Sequence, residues 1–163
     1  MKEILELLEK DCRLSPAQIA AMTGKSEEEV TAVIAACEQN GTLLGYKALI
    51  DWDRTGKEYI SAVIELKVRP SRDRGFDSIA ETVYKYPEVK SLQLMSSAGY
   101  DLMLIVEGKT MKEVAFFVSD KLATLEGVVS TATHFVLKKY KDKGVIYGIG
   151  TADERDQMYE GLQ

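Results

Sequence analysis

Three features of this 163-residue chain predict an α+β fold in two parts. Residues 15–46 set two short amphipathic segments around a glycine and add an apolar stretch, the pattern of a winged helix-turn-helix. Residues 59–137 switch between strand and helix rhythms in the order β-α-β-β-α-β, which is the ferredoxin-like arrangement. Between them, Asp51 to Gly56 is polar and turn-rich apart from Trp52. The expected bounds are 1–50 for the winged helix-turn-helix, 51–58 for a linker, 59–141 for the ferredoxin-like domain and 142–163 for a C-terminal tail.

In the first part, helix 1 is expected over Lys2 to Lys10, with Ile4, Leu5, Leu7 and Leu8 as its apolar face. Ser15 suits an N-cap, and Pro16 suits the first helical position, where a missing N–H costs nothing. Helix 2 then runs to about Met22 and buries Ile19, Ala20 and Met22. Gly24 supplies the turn because it tolerates positive φ. Ser26 caps helix 3, with Glu29 three residues on to complete a capping box. Val30, Val33, Ile34 and Cys37 recur at helical spacing and face the core. Asn40-Gly41 ends the helix through a left-handed residue. Thr42 to Ile50 is expected as one or two short strands forming the wing.

The second part opens with a β-branched, alternating strand from Tyr59 to Val68. A helix from Phe76 to Tyr86 presents Phe76, Ile79, Val83 and Tyr86 to a sheet, and Pro87 stops it. Strands follow over Val89 to Met95 and Tyr100 to Glu107, joined by a turn at Ser96 to Gly99. Thr110 caps a helix running to about Leu122. Gly127 breaks the chain before a last strand from Val128 to Leu137. In the tail, Val145, Ile146 and Tyr147 can pair as an edge strand.

Composition excludes several classes. No apolar run approaches the roughly 20 residues of a membrane span, and the N-terminus lacks a secretory hydrophobic region, so the expected location is cytoplasmic. Cys12 and Cys37 make neither a CxxC nor a metal spacing with His134, and read as small thiols at least half buried. No nucleophile–base pair or phosphate loop is visible, so no enzyme, cofactor or metal is expected.

Charge is unevenly placed. Through Asp53 there are five Lys or Arg against ten Asp or Glu, which accounts for the whole net charge of −5. DNA-binding modules usually show the opposite bias. The outward face of helix 3 still offers DNA contacts. Thr31 and Gln39 can bond base edges, Ala32 and Ala35 can meet thymine methyls, and Glu28 can accept from a cytosine amino group. Lys25, with the exposed amides after Ser26, can hold a phosphate, as can Lys47 on the wing and Arg13.

Several stretches in order resemble the Lrp/AsnC family, the leucine-responsive regulators. Ile4-Leu-Glu-Leu-Leu-Glu-Lys-Asp-Cys-Arg-Leu-Ser15 looks like the family's first helix and following loop. Gly41-Thr-Leu-Leu-Gly-Tyr-Lys-Ala48 is similar to its wing. Tyr86-Pro-Glu-Val89, Gly99-Tyr-Asp101 and Gly127-Val128 with Thr131, Thr133 and Leu137-Lys138 resemble strands of its ligand-sensing (RAM) domain. The family's recognition helix carries arginines where this chain has Val33 and Ala36. The resemblance implies a transcriptional regulator binding double-stranded DNA, assembled as homodimers through C-terminal domains and commonly as octamers. It implies a small-molecule effector, usually an amino acid, lined here by Met95, Ser96, Ser97, Ala98, Gly99, Tyr100 and Asp101. Exposed turn amides would hold the ligand carboxylate, while Asp101 orients the turn or meets an amino group. The acidic helix 3 keeps a second reading open: a small-molecule-binding interaction protein of the same architecture without sequence-specific DNA binding.

Overall fold

Residues 1–148 are described in a computed structural model, in which the chain divides after Ile50 into two compact units. The first holds α1 (Lys2–Lys10), α2 (Pro16–Thr23) and α3 (Glu27–Gln39). Ile4, Leu8, Ile19, Ala20 and Val30 form its core, with Leu7, Leu14, Val33, Ile34 and Leu43 packed around them. The Ser15 hydroxyl accepts from the Gln18 amide at 3.2 Å, and the Gln18 side chain accepts from the Ser15 amide at 2.8 Å. That reciprocal pair satisfies two donors the helix cannot satisfy itself. Gly24 ends α2 at φ 68°, where a side chain would be strained.

Four expectations need correction in this unit. Met22 is 58% exposed, because the core side of α2 is already filled by Ile19 and Ala20. Ser26 caps α3 through the Glu29 amide at 3.1 Å, but Glu29 does not reach back; its carboxylate lies 3.6 Å from the Lys25 ammonium instead. Residues 42–50 form no strand. Leu43 donates its amide to the Cys37 carbonyl and the Tyr46 hydroxyl donates to Glu38, so the segment is tied to the end of α3 rather than to a partner strand. Without a partner, extended backbone makes no ladder. Cys12 is exposed while Cys37 is buried, since Cys12 sits in the turn after α1 and Cys37 on the inner face of α3. After this unit, in keeping with its turn-rich composition, Trp52–Thr55 winds a 3₁₀ turn at the start of the second unit, with the Lys57 ammonium 3.9 Å from the Trp52 ring centre.

The second unit is a four-stranded antiparallel sheet in the order β2-β3-β1-β4, made of β1 (Ile60–Val68), β2 (Val89–Leu94), β3 (Leu102–Gly108) and β4 (Val128–Phe135). Alternate residues of β1 and β3, among them Ala62, Ile64, Leu66, Leu104 and Val106, are buried against two helices. The first, α4 (Asp77–Val83), is shorter than the Phe76–Tyr86 span predicted, though Phe76, Ile79, Val83 and Tyr86 all pack as expected. The second, α5 (Met111–Phe116), widens into a π-helical stretch, Phe117–Leu122. Val114, Phe117, Val118 and Leu122 form the buried stripe of this segment against the sheet.

Gly127 fills a tight place before β4. At φ 90° a Cβ there would lie 3.0 Å from the Ile79 Cδ1. The expected edge strand is also corrected. Among the described residues Val145–Ile146 (β6) pairs with Lys141–Asp142 (β5) in a separate two-stranded hairpin about a Lys143-Gly144 turn, whose short reach folds the segment back on its own neighbour, and not with the four-stranded sheet. The remainder of the predicted tail, 149–163, lies outside the described residues.

Candidate functional site

Two surfaces carry the sequence-predicted residues, one on each unit. On the first unit, α3 points Glu28, Thr31, Ala32 and Gln39 outward, with Ala35 half-buried. Lys25 and Ser26 lie at its N-terminal end and Lys47 is exposed on the segment after it. These residues share one region, but its cations are largely engaged. Lys25 faces Glu29. Arg13 grips Asp11 through Nε and Nη2 at 2.9 Å each, and those bonds hold the Asp11 carboxyl down to about 2. Lys47 makes no ion pair among the described residues. The first turn of α3 is Glu27, Glu28 and Glu29, where carboxylates favourably meet the positive end of the helix dipole.

On the second unit, Met95 to Asp101 form the turn between β2 and β3. Asp101 does most to fix it. Its amide donates to the Leu66 carbonyl at 2.9 Å and its carbonyl accepts from the Met95 amide at 2.8 Å. Its carboxylate accepts from the Val68 amide at 2.9 Å and from the Lys67 ammonium at 3.2 Å. These bonds, the Val68 amide foremost, hold the carboxyl below its ordinary value. Asp101 is thus committed to orienting the turn.

Ser96, Ser97, Ala98 and Gly99 are exposed, while Met95 and Tyr100 are half-buried. Gly99 donates its amide to the Ser97 hydroxyl at 3.3 Å. Among the described residues, the amides of Ser96, Ser97, Ala98 and Tyr100 find no partner. A short turn with several free N–H groups is chemically suited to a carboxylate. One groove, between α4 and β2, reaches Leu94 and Leu102 on either side of the turn, and another lies at the far end of the sheet.

Sequence reasoning missed Lys67 as the partner of Asp101. The two are 34 residues apart, and only the register of β1 against β3 brings them together. It also missed the face of the sheet turned away from the helices. There Val63, Glu65, Met103, Ile105, Ala132 and His134 lie side by side, with the His134 Nε2 3.7 Å from Glu65.

The comparisons with known proteins match this two-part geometry. Residues 61–146 match the Lrp/AsnC ligand binding domain, and residues 1–43 match a winged helix-turn-helix DNA-binding domain. The chain belongs to the Lrp/AsnC family. It is 46% identical over 154 residues to the uncharacterized HTH-type transcriptional regulator YugG of Bacillus subtilis, covering 94% of this chain and 92% of that one. It is 25% identical over 143 residues to a proline dehydrogenase transcriptional activator of Rhizobium radiobacter, covering 88% and 90%. The crystal structure of the regulator NMB0573 of Neisseria meningitidis in complex with L-Met superposes with a TM-score of 0.68 at 26% identity, covering 86% of this chain and 89% of that one.

As an Lrp/AsnC member the protein is a transcriptional regulator with a DNA-binding and a ligand-binding domain, not an enzyme. Among the described residues no helix is long and apolar enough to cross a membrane.

Proposed function

We propose that this regulator works in the cytoplasm, binds double-stranded DNA as a homodimer or an octamer, and changes its hold on DNA when an amino acid occupies the Met95–Asp101 turn. The observation that carries the reading is the turn itself. Asp101 locks it to β1, while the amides of Ser96, Ser97, Ala98 and Tyr100 stay free for an anionic group. The L-Met complex of the Neisseria relative supports an amino acid as the class of ligand. Met95 and Tyr100 would shape the side-chain pocket. In the winged unit, Lys25, the amides after Ser26 and Lys47 would hold phosphate, and Thr31, Ala32, Ala35, Gln39 and Glu28 would face the bases.

Assembly matters because one unit has few free cations, and linking several weak modules raises their joint affinity through effective concentration. The uncovered sheet face, with Val63, Met103, Ile105 and Ala132, suits a second copy of the chain. An effector bound between copies then favours one arrangement and respaces the winged units.

The acidic α3 favours a second reading, in which the protein senses a small molecule and acts on a protein partner. A mobility-shift titration on the protein's own upstream region separates the two. It is run at two salt levels, with and without a mixture of amino acids. Salt-sensitive binding that the mixture alters is expected. Equal, weak binding to every fragment at both salt levels removes the DNA reading and leaves the partner reading.

A further inference from the structure

The turn from Met95 to Asp101 has a cation fixed at its edge. Backbone pairing of β1 with β3 runs as far as Leu66 and Leu102. Beyond that point the Asp101 side chain takes over. Its Oδ2 accepts from the Val68 amide at 2.9 Å, and its Oδ1 accepts from the Lys67 ammonium at 3.2 Å. The second bond holds a flexible lysine in one place beside the turn. A lysine ordered in advance loses less freedom when it meets a ligand.

Lys67 keeps capacity after this bond. An ammonium has three donors, and among the described residues Lys67 uses one. Its side chain is 38% exposed, which leaves it open to a ligand. Leu66 and Val68 are buried under the helices, so Lys67 between them points to the other face, in line with Val63 and Glu65. The carboxylates on this side of β1 and β3 are Asp101, Glu65 and Glu107, and β2 and β4 add none. Glu65 lies 3.7 Å from the His134 Nε2. Glu107 pairs with Ser61, six residues or roughly 20 Å along β1 from Lys67. Asp101 is thus the carboxylate an incoming anion meets. It repels a simple acid, whereas a zwitterion brings an ammonium to set against it.

We propose that Lys67 reads the α-carboxylate of the effector: its ammonium, held by Asp101, donates to that carboxylate together with the free turn amides, so the site selects a free amino acid over its α-carboxamide. The inference rests on the amino-acid site proposed above and adds the residue that sets its specificity. Because Lys67 stands on the uncovered sheet face, a ligand held there also lies where a second copy would pack. Occupancy and assembly are tied at that point.

Full-length protein is titrated calorimetrically with the proteinogenic L-amino acids one at a time, then with the α-carboxamide of each that binds. The wild type is expected to prefer the acid by about tenfold or more, the worth of a charge-assisted hydrogen bond. Lys67→Gln should lower that preference by about tenfold with amide binding little changed, and Lys67→Arg, which keeps the charge, should retain part of it. Thermal melts check that each variant is folded, and Lys67→Met, which keeps the aliphatic stem, replaces a glutamine variant that is not. Ala98→Arg crowds the exposed turn and should block acid and amide alike. The proposal is overturned if the wild type binds acid and amide equally, if Lys67→Gln keeps the full preference, or if it weakens both by the same factor. Lys67 would then only brace Asp101, and a block by Ala98→Arg would still leave the turn standing as the amino-acid site. A wild type that binds no amino acid overturns both readings.

Discussion

Reversing one charge on α3 tests whether that helix faces a phosphate backbone. Glu28 is exposed in the first turn of α3, beside the Lys25–Glu29 pair. Each phosphate neutralised by a protein cation steepens the dependence of log K on log salt by about 0.9. Of the three cations expected to meet phosphate, Lys47 alone makes no ion pair, since Lys25 faces Glu29 and Arg13 grips Asp11, so a dimer that counts only Lys47 starts from a slope near 1.8. Over about a fourfold rise in salt, that slope means about 12-fold weaker binding. Glu28→Lys adds about 0.9 per protomer, so the dimer's slope becomes about 3.6 and the same salt step costs about 150-fold. At the lowest salt the variant binds more tightly than the wild type. Placing a base in the first turn opposes the helix dipole by about 0.3–1 kcal/mol, too little to unfold the unit. Fluorescence anisotropy on a labelled duplex across a salt series reads both slopes. Parallel lines for the two proteins, or weaker binding by the variant at low salt, would refute the placement of α3 against DNA.

The remaining predictions concern stability. Asp101 has its carboxyl held below the ordinary 3.8 by the Val68 amide and Lys67, so the stability it contributes is fully present above about pH 4 and is lost as pH falls through the depressed value. Thermal melts of wild type and Asp101→Asn should therefore differ at pH 7 and converge in strong acid; a gap that widens on acidification would contradict the assignment. Leu104→Ala removes a fully buried side chain from the middle of the sheet and should cost about 2–5 kcal/mol in a urea titration, and a loss below about 1 kcal/mol would mean this core is looser than described. Ser15→Ala breaks a reciprocal capping box whereas Ser26→Ala breaks a single bond, so by circular dichroism Ser15→Ala should be the more damaging of the two, at about 1–2 kcal/mol.

Local signals carried most of the fold. Ser15-Pro16, Gly24, Ser26 and Thr110 each act within four residues of chain, and the structure places a helix end or start at every one. Alternation in β1 and β3 fixed which side chains face the helices, because a strand's two faces differ by a single residue step. The errors arose where a residue's state depends on a distant neighbour. The wing looked like strand from its β-branched and apolar content, yet nothing pairs with it, and Leu43 and Tyr46 turn back to α3 instead. Glu29 had the spacing of a capping box, but Lys25 competes for its carboxylate.

The candidate sites divide the same way. Sequence alone determined the two-part α+β plan, the acidic face of α3 and a turn at Ser96 to Gly99, which the structure widens to Met95 and Asp101, because caps, periodicity and charge are properties of neighbouring residues. Only the tertiary structure decided that Asp101 is bound to Lys67 and Val68, and that Arg13 is occupied by Asp11. Those facts depend on strand register and packing, which bring together groups that the order of residues leaves far apart.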